Sequence, residues 1–273
     1  FIFNIGKERE LAQIIEKAIY RSRSEKYVKD LIAKNKDVFS KEKMIETYYS
    51  RLLPRHYRNT EGTKLSIVMP VYNEEKTISK ILEKIFLLKL PSNTKKEVII
   101  VNDHSTDGTP QIIEDFVKKN KSKDIEYVIL ENRRNLGKSQ SVKKGVLAST
   151  GDYVVTQDAD LEYKPKDLIS FLDVFAKHTF VDAIYGNRFN YKNRFSNIVH
   201  SFGNRFLTFI SNIFTGPKGF APNDMETCYK MVRGDIIRTL FKTLESKSNF
   251  GLEPEITAKL VRYRKPNGRR LRF

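Results

Sequence analysis

The chain of 273 residues is 40% apolar and 11% aromatic, so it can bury a sizeable core, and a globally disordered protein is excluded. Only 9 Pro and 13 Gly, with no repeat period, exclude collagen-like and low-complexity proteins. The 50 Lys and Arg against 33 Asp and Glu give a net charge of +17, which favours an anionic partner such as nucleic acid, lipid headgroups or a phosphorylated substrate.

Residues 1–62 form the first predicted part of the chain. Leu11, Ile14 and Ile15 begin an apolar stripe at helical spacing, and a second stripe runs through residues 44–52. A polar stretch with glycine at residues 58–63 indicates a linker. We predict an N-terminal helical extension and linker over residues 1–62 and a second domain over residues 63–273.

Strands alternate with helices after this linker, which is typical of an α/β domain with a mostly parallel sheet flanked by helices. Because ligands in such folds bind at the carboxyl ends of the strands, we expect the functional site among the polar residues that follow them, at 72–74, 103–105 and 158–160. The predicted strands are residues 65–71, 97–102, 125–130, 153–157 and 183–185, and the predicted helices are residues 75–88, 109–119, 139–148 and 166–176.

Two carboxylates after the fourth predicted strand favour a metal site. Asp158 and Asp160 are two residues apart, so strand geometry points both side chains to one side, as oxygen ligands of a divalent cation require. Glu162 continues the period. A solvated turn with an acidic pair is the alternative that spacing alone leaves open.

The residues after the first two predicted strands also have two readings. Asp103 ends the second strand and is placed to accept a hydrogen bond from a nucleobase N–H, while Asp107 or Ser105 would cap the following helix. Asn73 is either part of a binding loop or the N-cap of the first helix of this domain.

Metal and redox chemistry based on sulfur or imidazole is not indicated. Cys228 is the single cysteine and cannot form an intrachain disulfide, and the four histidines lack the spacing of a zinc site. The reducing cytosol is therefore the expected compartment.

Together these motifs resemble the family-two glycosyltransferases of the GT-A fold, and within them the dolichyl- or polyprenyl-phosphate sugar synthases. The resemblance covers the chain from about residue 64 to its end. The motifs that carry it are residues 67–74 (IVMPVYNE), 101–109 (VNDHSTDGT), 135–138 (NLGK), 157–162 (QDADLE), 186–189 (GNRF), 224–230 (DMETCYK) and 250–255 (FGLEPE).

The resemblance implies a Rossmann-like GT-A domain that binds a nucleoside-diphosphate sugar. It places the base near Pro70, Tyr72, Glu74 and Asp103. Lys138, at a predicted helix start after Gly137, is placed to assist the diphosphate, with a solvated lysine as the alternative. The implied cofactor is Mg²⁺ or Mn²⁺, held with the diphosphate by Asp158 and Asp160, with Glu162 as a further ligand where several relatives carry Gln. A metal clamp suits this reaction because the diphosphate leaving group builds negative charge as the glycosidic bond breaks.

Two features depart from the family pattern. His104 stands where the usual residue is Gly, which removes an easy position for positive φ and puts the tightness of that turn in question. Residues 217–222 are an apparent insertion before Asp224, so we expect a reshaped acceptor loop.

The acceptor determines which further side chains are needed. A lipid monophosphate is itself the nucleophile, so it requires cations more than a general base. The resemblance implies that Arg188, with Arg194 or Arg205, grips this phosphate. We expect Asp160, Asp224 and Arg188 to be catalytic; Asp224 would be the base for a hydroxyl acceptor and would position a cation or sugar hydroxyl for a phosphate.

Two segments indicate contact with a membrane surface. Residues 195–214 have the pattern of an amphipathic interfacial helix, with an internal helix against the sheet as the alternative. Residues 262–270 combine an Asn-Gly turn with a basic run, which predicts a hairpin near anionic headgroups. We expect a peripheral protein at the cytosolic face, or one anchored by segments absent from this chain, which opens without Met and ends in a basic run as a fragment would.

The sequence therefore predicts an inverting, metal-dependent transfer of a hexose from a nucleoside-diphosphate sugar to polyprenyl phosphate. The same fold acting on a hydroxyl of a glycan or other molecule is the alternative. A nucleic-acid-binding protein is a distant third, because no recognition motif or cluster of stacking aromatics accompanies the positive charge. A degenerate, non-catalytic relative is disfavoured by the presence of Asp158 and Asp160.

Overall fold

The structure is a computed structural model that describes residues 62–91, 94–178, 180–187, 208–209, 212–213, 222–246 and 251–273. These residues form one sheet with helices on both faces. The strands are β1 (Lys64–Val71), β2 (Lys95–Asn102), β3 (Ile125–Glu131), β4 (Tyr153–Thr156), β5 (Ala183–Tyr185) and β6 (Lys230–Arg233). The helices are α1 (Ile78–Phe86), α2 (Thr109–Lys119), α3 (Lys138–Ala148), α4 (Asp167–Lys177), α5 (Gly234–Lys242) and α6 (Leu252–Arg262).

The sheet has the strand order β3-β2-β1-β4-β6-β5. β1 pairs in parallel with both β2 and β4, β2 pairs in parallel with β3, and β6 runs antiparallel to its two neighbours. The chain builds outward from β1 through β2 to β3 and then crosses back to β4 on the other side of β1. This reversal creates a topological switch point between β1 and β4, where open α/β sheets bind ligands. The predicted α/β fold with a mostly parallel sheet is confirmed.

Alternating side chains of the central strands pack into two apolar layers. Leu65, Ile67 and Met69 of β1 belong to the layer under α1, α2 and α4, whereas Val68 belongs to the layer under α3, α5 and α6. All four side chains are fully buried. Because both faces of the sheet are covered, the open positions for a ligand are the strand ends.

Helix α3 lies unusually close to the sheet. A Cβ atom added at Gly145 would come within 2.4 Å of Val68 Cγ1 and 3.1 Å of Val101 Cγ2. The absence of a side chain at this position therefore allows the helix to approach β1 and β2, and it fixes where the first residue of the helix, Lys138, meets the sheet edge.

Most predicted elements of this region are confirmed, with small shifts at their ends. The main difference is that α1 starts at Ile78 rather than at residue 75, because residues 75–77 form a turn in which the Glu74 carbonyl accepts bonds from Thr77 N and Ile78 N. β6, α5 and α6, which complete one side of the sheet, were not predicted.

Some predictions concern residues outside the described ranges. The helical extension over residues 1–62 is one, apart from Gly62, and most of the predicted interfacial helix over residues 195–214 is another. Within the latter, Thr208, Phe209, Asn212 and Ile213 have helical backbone, and Phe209 and Ile213 are exposed. Across the part of the chain that the structure describes, no helix is both long and apolar enough to cross a membrane.

The predicted basic hairpin after α6 is confirmed. Arg264 and Arg270 form an antiparallel bridge around a turn in which Gly268 has a φ of 76°. Asp182, which precedes β5, anchors the hairpin, because its buried carboxylate lies 2.8 Å from Lys265 Nζ and accepts a 2.9 Å bond from Arg272 N. The start of β5 lies at the amino edge of the sheet, so the hairpin is at the edge opposite the predicted site.

A buried carboxylate also ties the strands together at the amino edge. Glu97 of β2, 1% exposed, accepts hydrogen bonds from Ser66 Oγ and Thr150 N and pairs with Lys64 Nζ at 2.8 Å. Burial alone would raise the pKa of Glu97, but the bonds from Lys64, Ser66 and Thr150 outweigh it and lower that pKa to about 2.

This pKa predicts a loss of stability in acid. The folded-state pKa of Glu97 lies below its ordinary value of 4.5, so its contribution is complete above about pH 5 and is lost as pH falls towards 2, amounting to about 3 kcal/mol. Unfolding free energies between pH 2 and 7 should therefore depend less steeply on pH in Glu97→Gln than in the wild type. Glu114→Gln, at an exposed site on α2, should keep the wild-type slope; equal slopes for Glu97→Gln and the wild type would contradict the assignment.

Candidate active site

The site begins where β1 and β4 separate. Gln157 N donates to Val68 O, and the next bond of this parallel ladder would run from the amide of residue 70 to Gln157 O. Pro70 has no amide hydrogen, so the ladder stops there. The two strands part beyond this point, and the residues after β4 are free to form the loop that carries Asp158 and Asp160.

Three non-glycine residues among those described have positive φ, and each lies beyond a strand at this same edge. They are Asn73 with φ 54°, His104 with φ 63° and Leu161 with φ 66°. Such conformations are costly for L residues and are concentrated at functional sites. His104 therefore takes the left-handed conformation that the sequence analysis questioned, and the turn is kept without glycine.

Asn73 joins the loops after β1 and β2. Its Oδ1 accepts a 2.8 Å bond from Thr106 N, and its own N donates to Ser105 Oγ at 3.0 Å. Of the two readings of Asn73, the helix cap is wrong, since α1 starts at Ile78. The prediction that Asp107 caps the next helix agrees better with the structure, because Asp107 Oδ1 accepts a 3.0 Å bond from Thr109 N at the start of α2.

The predicted base-contacting residues after β1 lie at this edge. Tyr72 is 46% exposed, and Pro70 is partly buried inside the strand. Glu74 is partly buried, and its carboxylate accepts a hydrogen bond from the Thr77 hydroxyl. Tyr72 is therefore the member of this group with the most surface available to a ligand.

Asp103 has a structural role that the sequence analysis missed. It is 3% exposed, and its Oδ1 accepts bonds from Asn132 Nδ2 at 2.7 Å and Leu136 N at 2.9 Å. Its Oδ2 accepts a 2.7 Å bond from Gly137 N. The carboxylate thus holds the loop before α3 against the end of β2. A hydrogen bond from a nucleobase would use a lone pair that these three bonds leave available.

Lys138, the first residue of α3, meets Asp158 across the switch point. Its Nζ lies 2.8 Å from Asp158 Oδ1 and 2.9 Å from Oδ2. Glu253 in the first turn of α6 is 8% exposed, with its Oε1 3.8 Å from the same Nζ. Glu253 has no predicted role beyond its motif, because α6 was not predicted and the position of Glu253 beside α3 is a tertiary contact.

The charge state of Lys138 follows from these neighbours. Burial alone would lower the pKa of Lys138, but the neighbouring Cys228 thiol and the Asp158 and Glu253 carboxylates outweigh burial and raise that pKa above its usual range. Lys138 is therefore a cation at neutral pH.

Asp160 and Glu162 lie in the exposed part of the same loop. Asp160 Oδ1 accepts a 3.0 Å bond from Glu162 N, which bends the chain back at this point. Within the described ranges no three His, Cys, Asp or Glu side chains are placed to hold a metal ion. Two carboxylates nevertheless fit a hard cation whose other ligands come from substrate phosphates, as is usual for Mg²⁺.

Aromatic residues from the segment before β6 support this loop. Tyr229 OH donates to the buried Gln157 Oε1, and the Tyr229 ring packs on that of Tyr163 with centroids 4.6 Å apart. Tyr163 OH accepts a 2.9 Å bond from Cys228 N, and Thr156 Oγ1 donates to Cys228 O at 2.6 Å. Cys228 is thus a buried structural residue, and burial raises the pKa of its thiol above its ordinary value.

Of the residues predicted to act on the acceptor, Asp224 lies within the described ranges. Arg188, Arg194 and Arg205 lie outside the described residues. Asp224 is fully buried, and the nearby Lys230 is also buried, at 7% exposed. Burial lowers the pKa of Lys230, although the surrounding acidic groups, including Glu253 and Asp224, oppose that shift.

The amino-acid sequence of this domain matches a protein-family model. Residues 66–240 match the model of the glycosyl transferase family 2 domain. This range covers more than half of the chain, so the chain belongs to glycosyl transferase family 2. The family predicted from the sequence motifs is confirmed.

Curated relatives share part of this domain. The chain is 32% identical over 138 residues to the poly-beta-1,6-N-acetyl-D-glucosamine synthase of Staphylococcus epidermidis, a match that covers 50% of this chain and 31% of that protein. It is 28% identical over 132 residues to the dodecaprenyl-phosphate galacturonate synthase of Rhizobium johnstonii, covering 48% of this chain and 38% of that protein. The chain thus matches about a third of the length of each.

Solved structures confirm the GT-A fold. Glucosyl-3-phosphoglycerate synthase from Mycobacterium tuberculosis, in complex with Mn²⁺, uridine diphosphate and glucosyl-3-phosphoglycerate, superposes with a TM-score of 0.52 over 74% of this chain and 66% of that one. The two sequences are 18% identical, so the likeness concerns the fold alone.

The role of Asp103 leads to a test by hydrogen exchange. In Asp103→Asn one of the two acceptor positions becomes an NH₂ group that faces a backbone N–H, so the Leu136 and Gly137 amides should exchange at least about tenfold faster. Hydrogen-exchange mass spectrometry of the peptide over residues 132–138 measures this. Asp124→Asn, at an exposed position before β3, should leave that peptide unchanged; unchanged exchange in Asp103→Asn would show that the carboxylate does not anchor the loop.

Proposed function

We propose that this protein is an inverting, metal-dependent glycosyltransferase that moves a hexose from a nucleoside-diphosphate sugar to polyprenyl phosphate. The observation that carries the proposal is the placement of Asp158 and Asp160 beyond β4, beside the switch point and opposite Lys138. Carboxylates and a fixed ammonium on two sides of one cleft suit a metal-bound diphosphate.

The donor would lie across the carboxyl ends of β1, β2 and β4. Tyr72 offers an exposed ring beside the base, and Asp103 fixes the loop from which α3 starts. Asp158 and Asp160 would hold Mg²⁺ or Mn²⁺, which neutralises the charge that develops on the diphosphate. Lys138 adds positive charge at the α3 side of the cleft, within reach of both Asp158 and Glu253, so the leaving group is stabilised from two sides.

A phosphate acceptor is supported by the chemistry of the chain and by one relative. A lipid phosphate needs cations to hold it, and we assign this to Arg188 with Arg194 or Arg205. The Rhizobium johnstonii relative is a dodecaprenyl-phosphate galacturonate synthase. Asp224 is fully buried, which suits a positioning role better than that of a base facing an incoming hydroxyl.

Such an acceptor places the enzyme at a membrane surface, and we propose that it works at the cytosolic face. The exposed Phe209 and Ile213 lie in the segment with the amphipathic pattern. The net charge of +17 favours anionic headgroups as the partner of this surface.

Release of nucleoside diphosphate tests the proposal directly. We expect one donor from a panel of UDP- and GDP-sugars to release its nucleotide with Mn²⁺ only when polyprenyl phosphate in detergent is present. Asp160→Asn should lower the rate by at least about a hundredfold, because a ligand of the metal clamp is lost. The matched variant Asp173→Asn, on the exposed side of α4, should keep the wild-type rate.

Two results would contradict this proposal. Release that does not depend on the lipid would show that polyprenyl phosphate is not the acceptor. An unaffected rate in Asp160→Asn would show that the clamp lies elsewhere.

A hydroxyl acceptor is the second candidate, favoured by the match to a poly-N-acetylglucosamine synthase. Asp224→Asn separates the two. Loss of a general base should lower kcat by about a hundredfold to ten-thousandfold with a hydroxyl acceptor, whereas we expect a loss under about tenfold with polyprenyl phosphate, which brings its own charged nucleophile. Steady-state rates with whichever acceptor supports turnover, with thermal unfolding as a check on folding, decide between these values.

A further inference from the structure

The Lys138 ammonium occupies the position at which a cation would bind Asp158. It lies within 2.9 Å of both carboxylate oxygens. Two cations cannot both hold these oxygens at such distances, because like charges a few ångströms apart in a half-buried cleft repel strongly. A divalent ion on Asp158 must therefore move Lys138 away from at least one oxygen.

Glu253 provides a second partner for Lys138. Its Oε1 is 3.8 Å from Lys138 Nζ, beyond hydrogen-bond distance and within ion-pair distance. The lysine stem is flexible and Glu253 is fixed in the first turn of α6. A movement of about 1 Å by the ammonium would turn this contact into a hydrogen-bonded ion pair.

We propose that Lys138 exchanges partners: it holds Asp158 when the cleft is empty and moves to Glu253 when a divalent metal binds Asp158. Glu253 is then a positioning residue, acting on the metal through Lys138. This inference rests on the metal use assigned under the proposed function.

The exchange depends on a carboxylate at position 253. A partly buried ammonium that leaves a carboxylate pays a desolvation cost, and passing to a second carboxylate offsets that cost. Glu253 should therefore favour metal binding because it accepts the Lys138 ammonium that the metal displaces. It should have little effect on the metal when Lys138 is absent.

Titration of the full chain with Mn²⁺ alone measures these effects without turnover. The electron paramagnetic resonance signal of the free ion reports how much Mn²⁺ stays unbound. Lys138→Met removes the competing cation and should tighten Mn²⁺ binding by about tenfold, and Glu253→Gln should weaken it by about tenfold. In the Lys138→Met background, Glu253→Gln should change the affinity by less than about twofold.

The exposed ion pair on α2 provides matched controls. Lys118 Nζ lies 3.3 Å from Glu114 Oε2, so Lys118→Met and Glu114→Gln make the same charge changes far from the cleft and should leave Mn²⁺ affinity at the wild-type value. Thermal unfolding checks that each variant folds, and Lys138→Gln replaces Lys138→Met if the latter does not.

The outcomes separate this inference from the proposed function. Equal weakening by Glu253→Gln in both backgrounds would show that Glu253 acts on the metal directly by its charge, and an unchanged affinity in Lys138→Met would show no competition; either result overturns the exchange. If Asp158→Asn binds Mn²⁺ as the wild type does, the metal assignment itself is wrong.

Discussion

The buried Asp103 carboxylate connects the parts of this molecule that the chemistry needs. It accepts hydrogen bonds from Asn132 and from the Leu136 and Gly137 amides, and so it fixes the loop that starts α3. The close approach of α3 to the sheet at Gly145 then sets the far part of the same helix. Lys138 is held between these two restraints, which is why its ammonium reaches Asp158 in a defined place rather than sampling the surface.

The sequence predicted the local features of this arrangement well. Alternation of strands and helices and the polar strand ends are periodic or short-range signals, and β1 and α2 are where they indicated. β4 ends at Thr156, however, so Asp158 and Asp160 lie in a loop rather than in the predicted strand geometry. The partners of Asp103 and the role of Glu253 could not be predicted, because both depend on contacts between residues 29 or more positions apart. The short β6 and the helix start of α6 lie in segments whose pattern is set by packing on β4 and α3 rather than by their own periodicity.

Charged side chains have different roles at the two edges of the sheet. At the amino edge, Glu97 is surrounded by donors and serves stability. At the carboxyl edge, Lys138 is shared between two acidic side chains and Asp158 is already paired. Asp158 and Glu253 share the Lys138 ammonium, so the departure of a charged ligand does not leave these two carboxylates without a compensating positive charge. This is a reason for the cleft to keep its shape between turnovers.

Helix α6 joins two opposite ends of the domain. Its first turn carries Glu253 in the cleft, and about 16 Å further along its axis the chain enters the basic hairpin pinned to Asp182. The arginines of residues 262–272 therefore lie about one helix length from the cleft, at the opposite edge of the sheet. A polyanion bound by the hairpin would contact the domain there without filling the donor site.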